Sequence, residues 1–155
     1  MQRNCLAYWI PEQIEAALER GKLAHAGSGQ FKRISVTDRV WIIGRTKLSN
    51  VLYTVGFIDV DLKLETEAAQ LEMYRRVPGY DIWDAAWHVF PSEGKECATR
   101  LVSLEPIYRK ISFESKDHWK LLMDEEHPNA QALQTVRQLT PRAAGAIAEI
   151  WSAGT

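Results

Sequence analysis

Aromatic and hydrogen-bonding side chains are the residues of this sequence whose types point most directly to chemistry. Six tryptophans occur among 155 residues, roughly three times the share expected of an average chain. Surplus aromatic rings either build a core or line a site for a flat ligand. Trp41 stands at the centre of the apolar stretch ISVTDRVWIIGR, residues 34–45. We predict that Trp41 forms one wall of a ligand pocket, with core packing as the alternative.

Two further segments supply candidates for this pocket. In GKLAHAGSGQFKR, residues 21–33, glycines let the backbone approach a ligand, and serine and glutamine side chains both donate and accept hydrogen bonds. The connection over residues 62–84 interleaves aromatic rings with arginines, a pattern typical of nucleic-acid sites. For His25, the alternative is a surface residue whose hydrogen bonds are already made. For Tyr74, Tyr80 and Trp83, the alternative is packing over one end of the sheet. The predicted pocket residues are His25, Ser28, Gln30, Phe31, Trp41, Tyr74, Tyr80 and Trp83.

Basic residues are spread through the segments that we predict to be loops. The formal net charge of −1 argues against a protein that coats nucleic acid by bulk electrostatics, so phosphate contacts require a local patch. We predict that the basic residues gather on one rim and contact phosphates there. They are Lys32, Arg33, Arg45, Lys47, Arg75 and Arg76. Arg137, which lies in a predicted helix, is a further predicted phosphate contact.

Catalytic and metal-binding patterns are scarce in this sequence. It contains no G-x-S-x-G, no H-E-x-x-H and no P-loop. Cys5 and Cys97 are far apart and have no histidine at zinc-like spacing, which predicts two reduced thiols. We therefore predict a binding module rather than an enzyme, with no cofactor and no metal.

Length and hydropathy set the general class of the protein. A chain of 155 residues fits one domain, which we place over residues 1–155. No apolar run approaches the roughly 20 residues that a membrane span needs, and the first residues carry no leader-like apolar segment. We expect a cytoplasmic protein without a membrane partner.

Hydrophobic periodicity and turn residues predict the secondary structure. Residues 6–10 form a strand that Pro11 ends, and a helix over 11–20 follows until Gly21. Two strands around the loop GRTKLSN form a hairpin. The remaining predicted elements are a short helix at 68–75, strands at 87–90, 99–104 and 107–113, and helices at 129–139 and 141–151. This order predicts an α+β fold with a curved, barrel-like, mostly antiparallel sheet of about five or six strands flanked by helices.

Five stretches of the sequence resemble the EVE domain, a member of the PUA-like group that also includes YTH domains. They are AYWIPE, ISVTDRVWII, YTVGFIDVD, WHVF and LQTVRQLTPRAAGAI. The stretches occur in the order and spacing of that family, and together they span nearly the whole chain. Thr37 and Asp38 stand where the family usually has Gly-Asp. The resemblance implies a PUA-like fold.

The same resemblance implies a function in nucleic-acid recognition. Such domains hold a base that has been turned out of its helix or strand in an aromatic-sided pocket, and EVE-type domains also occur fused to nucleases that select modified DNA. The implied partner is DNA carrying a methylated or hydroxymethylated cytosine, with a restriction-type nuclease domain as a further partner. An RNA modification reader, a protein-interaction domain and an ASCH-like nucleoside amidohydrolase, which would use Lys22 or Lys32 with a carboxylate, stay open as alternatives.

Overall fold

The structure is a computed structural model that describes residues 2–115, 120–124, 127–128, 133 and 135–154. Its strands, in chain order, are β1 (Asn4–Trp9), β2 (Lys22–Leu23), β3 (Ala26–Ser28), β4 (Arg39–Gly44), β5 (Tyr53–Asp59), β6 (Leu62–Glu65), β7 (Trp87–Phe90), β8 (Cys97–Ala98), β9 (Val102–Ser103), β10 (Ser112–Phe113), β11 (Lys120–Leu121), β12 (Met123–Asp124), β13 (His127–Pro128) and β14 (Arg137–Gln138). Its α-helices are α1 (Pro11–Arg20), α2 (Thr66–Arg76) and α3 (Pro141–Ala153), and two 3₁₀ helices span Gly29–Arg33 and Glu105–Lys110.

A five-stranded sheet with the order β14-β1-β4-β5-β9 forms the centre of the fold. The pair β1 and β4 is parallel, and the other neighbours in this sheet are antiparallel. A second sheet of three antiparallel strands has the order β3-β7-β6. The predicted α+β class with a curved, mostly antiparallel sheet is confirmed.

Each face of the central sheet packs against its own hydrophobic core, because side chains of successive residues in a strand point to opposite faces. On one face, Ala7 and Ile42 pack with α1 residues such as Ile14. On the other face, Leu6 and Trp41 pack with residues of α3 and of the 3₁₀ helix at Glu105–Lys110. The end of β1 therefore lies beside α1, which places its last side chain next to the site described below.

Turn and cap residues define the ends of the helices as the sequence predicts. Pro11 occupies the first turn of α1, and Gly21 ends it with a positive φ of 82°. The Thr140 hydroxyl accepts a 3.2 Å hydrogen bond from the Ala143 amide at the start of α3. Gly56 has a φ of 139°, and the register between β4 and β5 shifts beside it, as in a β-bulge.

Three predicted elements differ in the structure. The strand predicted at 99–104 is a strand only at Val102–Ser103. Residues 107–113 are mostly a 3₁₀ helix rather than a strand, because Pro106 fixes its own φ and favours a helical first turn. The predicted helix at 129–139 is wrong at Arg137 and Gln138, which pair with β1 as an edge strand. Sheet pairing overrides local helix propensity there. Residues 129–132 and 134 lie outside the described part of the chain.

The turn that precedes β4 holds one strained residue. Thr37 has a φ of 85°, a backbone conformation that costs a β-branched residue roughly 1–2 kcal/mol. The turn persists because the Thr37 amide donates to the Val60 carbonyl at 2.7 Å. The buried Asp38 carboxylate also accepts from the Ser35 amide and from Arg3.

Replacing Thr37 with glycine is expected to stabilise the protein by about 1 kcal/mol, because glycine adopts positive φ without steric cost. Denaturant unfolding of Thr37→Gly and of the control Thr37→Ala measures this. The alanine variant keeps a Cβ atom and should gain nothing. A glycine variant no more stable than the wild type would show that the turn carries no strain.

Among the described helices, none combines the length and the apolar character that crossing a membrane requires.

Candidate functional site

Three neighbouring cavities run from α1 and the end of β1 to the start of β1 and β14. The first, here called the aromatic cavity, has a volume of about 170 Å³ and is lined by Trp9, Gln13, His25, Tyr80 and Trp83 among others. The second, the polar cavity, measures about 130 Å³ and shares Trp9 and Gln13 with the first. The third, the basic groove, measures about 840 Å³ and shares Gln30, Thr135 and Val136 with the polar cavity. Because neighbouring cavities share lining residues, the three lie side by side in a row, here called the depression, with Trp9 between the first two.

The rings of the aromatic cavity are fixed by direct contacts. Trp9 and Trp83 meet edge to face with ring centroids 5.7 Å apart, a favoured aromatic geometry. The Trp83 indole N–H donates to the Gly27 carbonyl at 3.0 Å. A Cβ atom at Gly27 would lie 2.5 Å from His88 Nδ1 and 3.0 Å from Trp83 Nε1. Glycine at position 27 is thus required for the close approach of this strand to the rings.

The outer edge of the aromatic cavity is cationic. The Arg20 guanidinium lies 4.2 Å above the centre of the Tyr80 ring, which is a cation–π contact. Lys22 and Glu12 also line this cavity. The Tyr80 carbonyl accepts a 2.9 Å hydrogen bond from the Gln70 side chain of α2, so the connection after α2 is tied to that helix.

Two buried histidines lie beside the aromatic cavity. His25 Nε2 is 2.7 Å from His88 Nδ1, and His88 Nε2 is 2.9 Å from the Ala85 carbonyl oxygen. The two rings are nearly parallel, with an interplanar angle of 16° and centroids 4.9 Å apart. Burial, together with His88 and Arg20, lowers the pKa of His25 to about 3, and burial also lowers the pKa of His88. Both imidazoles are therefore neutral at physiological pH.

The polar cavity offers hydrogen-bonding groups against an apolar wall. Phe31 is buried beneath it. The Ser28 hydroxyl accepts from the Gln30 amide at 3.0 Å and still has its own O–H to donate. Gln30 Oε1 accepts a 2.5 Å hydrogen bond from the Val136 amide. This bond joins the 3₁₀ helix at Gly29–Arg33 to the segment that leads into β14.

The basic groove carries more cations than anions. Arg3, Lys32, Arg33 and Arg137 line it, and Glu114 is the one carboxylate of its described lining. Arg3 is already paired with Asp38 at 2.7 Å, whereas the side chains of Lys32 and Arg33 are exposed. An open groove with this charge attracts polyanions.

The structure brings six of the eight predicted pocket residues into this depression. His25, Tyr80 and Trp83 line the aromatic cavity, and Ser28, Gln30 and Phe31 line the polar cavity. The placement of Trp41 is wrong. Its ring is 0% exposed between Phe57 and Trp151, and its indole N–H donates to the Asn4 side chain at 3.1 Å.

The placement of Tyr74 is wrong as well. Tyr74 lies on the outer surface of α2, where its hydroxyl donates to Asp81 at 2.6 Å. It lines none of the three cavities. The helix that carries it turns this ring away from the site, so the aromatic side chains of the long connection do not act as one group.

The prediction of a single basic rim is wrong in part. Lys32, Arg33 and Arg137 share the basic groove, but the other four lie elsewhere. Arg45 donates to the Asn50 carbonyl within its own loop, and Lys47 pairs with Glu15 at 3.4 Å. Arg75 and Arg76 are held by the carboxylates of Glu72 and Glu93. Local carboxylates and carbonyls occupy these side chains.

Sequence reasoning missed several residues of the depression. Trp9 is a core residue, as the apolar residues before and after it indicate, but the sequence did not show that its ring also lies between the aromatic cavity and the polar cavity. Its position directly before Ile10 and Pro11, where the strand ends, was the available signal. Gln13 on α1, Arg3 before β1 and Arg20 at the end of α1 are the other three.

The described residues contain neither a group of side chains placed to bind a metal nor an activated cysteine. No group of three or more histidine, cysteine, aspartate or glutamate side chains among them is placed to hold a metal ion. Both cysteines are free thiols. Burial raises the pKa of Cys5 to about 11 and also raises the pKa of Cys97, so neither is an activated thiolate.

Comparisons with known proteins find similarity in structure but not in sequence. No family model and no curated protein matches the sequence. The crystal structure of ASCH from Zymomonas mobilis superposes over 94% of both chains with a TM-score of 0.54 and 11% identity. The structure of a hypothetical protein from Leishmania major superposes over 100% of this chain and 98% of its own, with a TM-score of 0.50 and 11% identity. At this identity the likeness establishes the fold alone, and the fold is PUA-like.

Proposed function

We propose that this protein is a nucleic-acid binding module that takes one unpaired base into the aromatic cavity while the adjoining backbone follows the basic groove. One observation carries the proposal. The three cavities adjoin in an order that changes from aromatic to polar to basic. A nucleotide strand has the same order of chemistry, from a flat base through a polar sugar to charged phosphates.

Stacking on the rings of the aromatic cavity can offset the cost of turning a base out of its duplex. Turning a base out of a duplex costs a few kcal/mol of lost stacking, and stacking on an aromatic side chain returns about 1–3 kcal/mol per base. Trp9, Tyr80 and Trp83 supply the aromatic surface here. A base that is already unpaired avoids the first cost, so single strands are the most favourable ligands.

We further propose that the base is a modified cytosine in DNA, as the resemblance to EVE domains implies. A methyl group adds apolar surface that tryptophan rings can bury, at about 25 cal/mol per Å². The protein would then act by binding alone, as the specificity domain of a nuclease. The same cavity chemistry also accommodates a modified base in RNA.

A panel of otherwise identical oligonucleotides distinguishes these targets. Cytosine, 5-methylcytosine, 5-hydroxymethylcytosine and N6-methyladenine are placed at one position in DNA and in RNA, and dissociation constants are measured by gel shift. We expect the methylated or hydroxymethylated cytosine in DNA to bind most tightly. Equal affinity for all four bases would contradict modified-base recognition, and tighter binding of the RNA series would assign the site to RNA.

The groove can be tested through the salt dependence of binding. Replacing Lys32 and Arg33 together with alanine should weaken binding to modified and unmodified oligonucleotides alike. The slope of log affinity against log salt should fall by roughly one to two, because each lost phosphate contact removes nearly one released counterion.

The double variant Arg45→Ala/Lys47→Ala is the matched control, since these cations lie in the β4–β5 loop outside the groove. It should bind as the wild type does. If the salt slope of the Lys32/Arg33 variant is unchanged, or if both double variants lose the same affinity, the phosphates do not bind in the groove.

An ASCH-like amidohydrolase is the second candidate, favoured by one feature of the site. Lys22 and Glu12 line the same cavity, so an amine and a carboxylate adjoin the base site that an acylated cytidine would occupy. Incubation with N4-acetylcytidine tests this activity directly. Release of acetate by the wild type but not by Lys22→Ala would establish the enzyme, and no release by either would support binding alone.

A further inference from the structure

The hydrogen-bond chain behind the aromatic cavity fixes where the protons of two histidines lie. A carbonyl oxygen only accepts, so His88 Nε2, 2.9 Å from the Ala85 oxygen, must carry a hydrogen. A neutral imidazole has one N–H, which leaves His88 Nδ1 as an acceptor. His25 Nε2, 2.7 Å from that atom, is therefore the donor. It follows that His25 Nδ1 has a lone pair and no hydrogen.

This lone pair is unsatisfied within the described residues. No hydrogen-bond partner is found there for His25 Nδ1, although the side chain is only 4% exposed and lines the aromatic cavity. The centres of the Trp83 and Phe90 rings lie 4.5 and 5.3 Å from the centre of the imidazole, so aromatic rings flank it. An acceptor that lines an aromatic cavity gains a hydrogen bond when a ligand brings a donor to it, and stays unpaired when the ligand brings another acceptor.

We propose that the aromatic cavity selects flat ligands that present an N–H donor to His25 Nδ1, such as the amino group of a cytosine- or adenine-type base. It rejects ligands with a carbonyl oxygen at that place, such as thymine and uracil. His88 is a positioning residue in this selection, because it holds His25 in the tautomer that accepts. The inference rests on the proposed function, since it assigns the base that enters the cavity.

The sharpest ligand comparison is 5-methylcytosine against thymine. Both bases carry the same 5-methyl group, but the first has an amino group at position 4 and the second a carbonyl oxygen there. Two oligonucleotides that differ only in this base therefore test hydrogen-bond polarity at constant apolar surface. We expect 5-methylcytosine to bind about 10- to 100-fold more tightly.

The role of His88 is tested with His88→Leu, which frees His25 to adopt either tautomer. The two dissociation constants, for the 5-methylcytosine and the thymine oligonucleotide, should then agree within about twofold. Overall binding strength should change less than this preference does. Tyr74→Phe is the control, because this ring lies outside the cavities, and it should keep the full preference. A preference that survives in His88→Leu would overturn the positioning role.

A measurement on the wild type keeps the inference testable if the leucine variant fails to fold. The long-range ¹H–¹⁵N correlation spectrum reports the tautomer of each histidine, and we expect a proton on Nε2 of both His25 and His88. A proton on His25 Nδ1 would overturn the inference. If the tautomer is as expected but the two bases bind equally well, the selection is overturned and the proposed function stands. If no oligonucleotide binds at all, both the proposed function and the selection are overturned.

Discussion

Replacement of Trp41 by alanine is expected to lower the free energy of unfolding by about 3–5 kcal/mol and to leave the base preference of the folded fraction unchanged. The ring is fully buried among Leu6, Phe57 and Trp151. Its removal deletes a large apolar surface, leaves a cavity and orphans the Asn4 side chain that accepts its indole N–H.

Denaturant unfolding and oligonucleotide affinity are measured on the same Trp41→Ala protein. Trp41→Phe is the control, since it keeps part of the buried aromatic surface and loses the indole hydrogen bond and some ring volume, so its loss of stability should be smaller than that of Trp41→Ala. If Trp41→Ala is as stable as the wild type but no longer distinguishes the bases, Trp41 belongs to the binding site.

Acidification is expected to destabilise the protein well above the pH range in which carboxylates titrate. The pKa of His25 is lowered from the ordinary 6.5 to about 3, so the unfolded chain binds a proton below pH 6.5 that the folded chain refuses. Stability is thus fully present above pH 6.5 and is lost as the pH falls. Between about pH 6.5 and pH 5, His25 alone should remove about 2 kcal/mol.

Unfolding free energies at about pH 7.5 and pH 5 measure this loss. His88, whose pKa burial also lowers, adds to it in the same direction. The variant His25→Gln serves as the comparison, because its amide N–H can still donate to His88 but does not titrate. It should be less sensitive to pH over this interval. Equal pH sensitivity of the two proteins would place the effect outside the histidine pair.

Local signals in the sequence were sufficient for most of the fold. The strand and helix at the start of the chain follow from Pro11 and Gly21, whose backbone preferences act without long-range help. The β4–β5 hairpin follows from two apolar runs around a polar loop. The strand β14 does not follow from local residues, since its existence depends on hydrogen bonds to β1.

The candidate site shows where pattern reading stops. Glycine and polar residues near His25 and Ser28 pointed to a segment that lines the aromatic and polar cavities in the structure. Trp41 and Trp9 both sit in apolar strands, and only the tertiary packing decides that the first is covered by α3 and the second faces a cavity. The sequence likewise cannot show that Arg75 and Arg76 meet Glu93.

The central claim is that a base enters the aromatic cavity, and the tryptophan indole N–H signals report this most directly. A ¹H–¹⁵N spectrum is recorded while a single-stranded oligonucleotide carrying one 5-methylcytosine is added, with the same strand lacking that base as the control. We expect the signals of Trp9 and Trp83, which line the cavity, to shift with the complete strand and not with the abasic strand. The signals of Trp41 and Trp151, which line none of the three cavities, should stay in place. Unmoved signals of Trp9 and Trp83 at saturation would contradict the central claim.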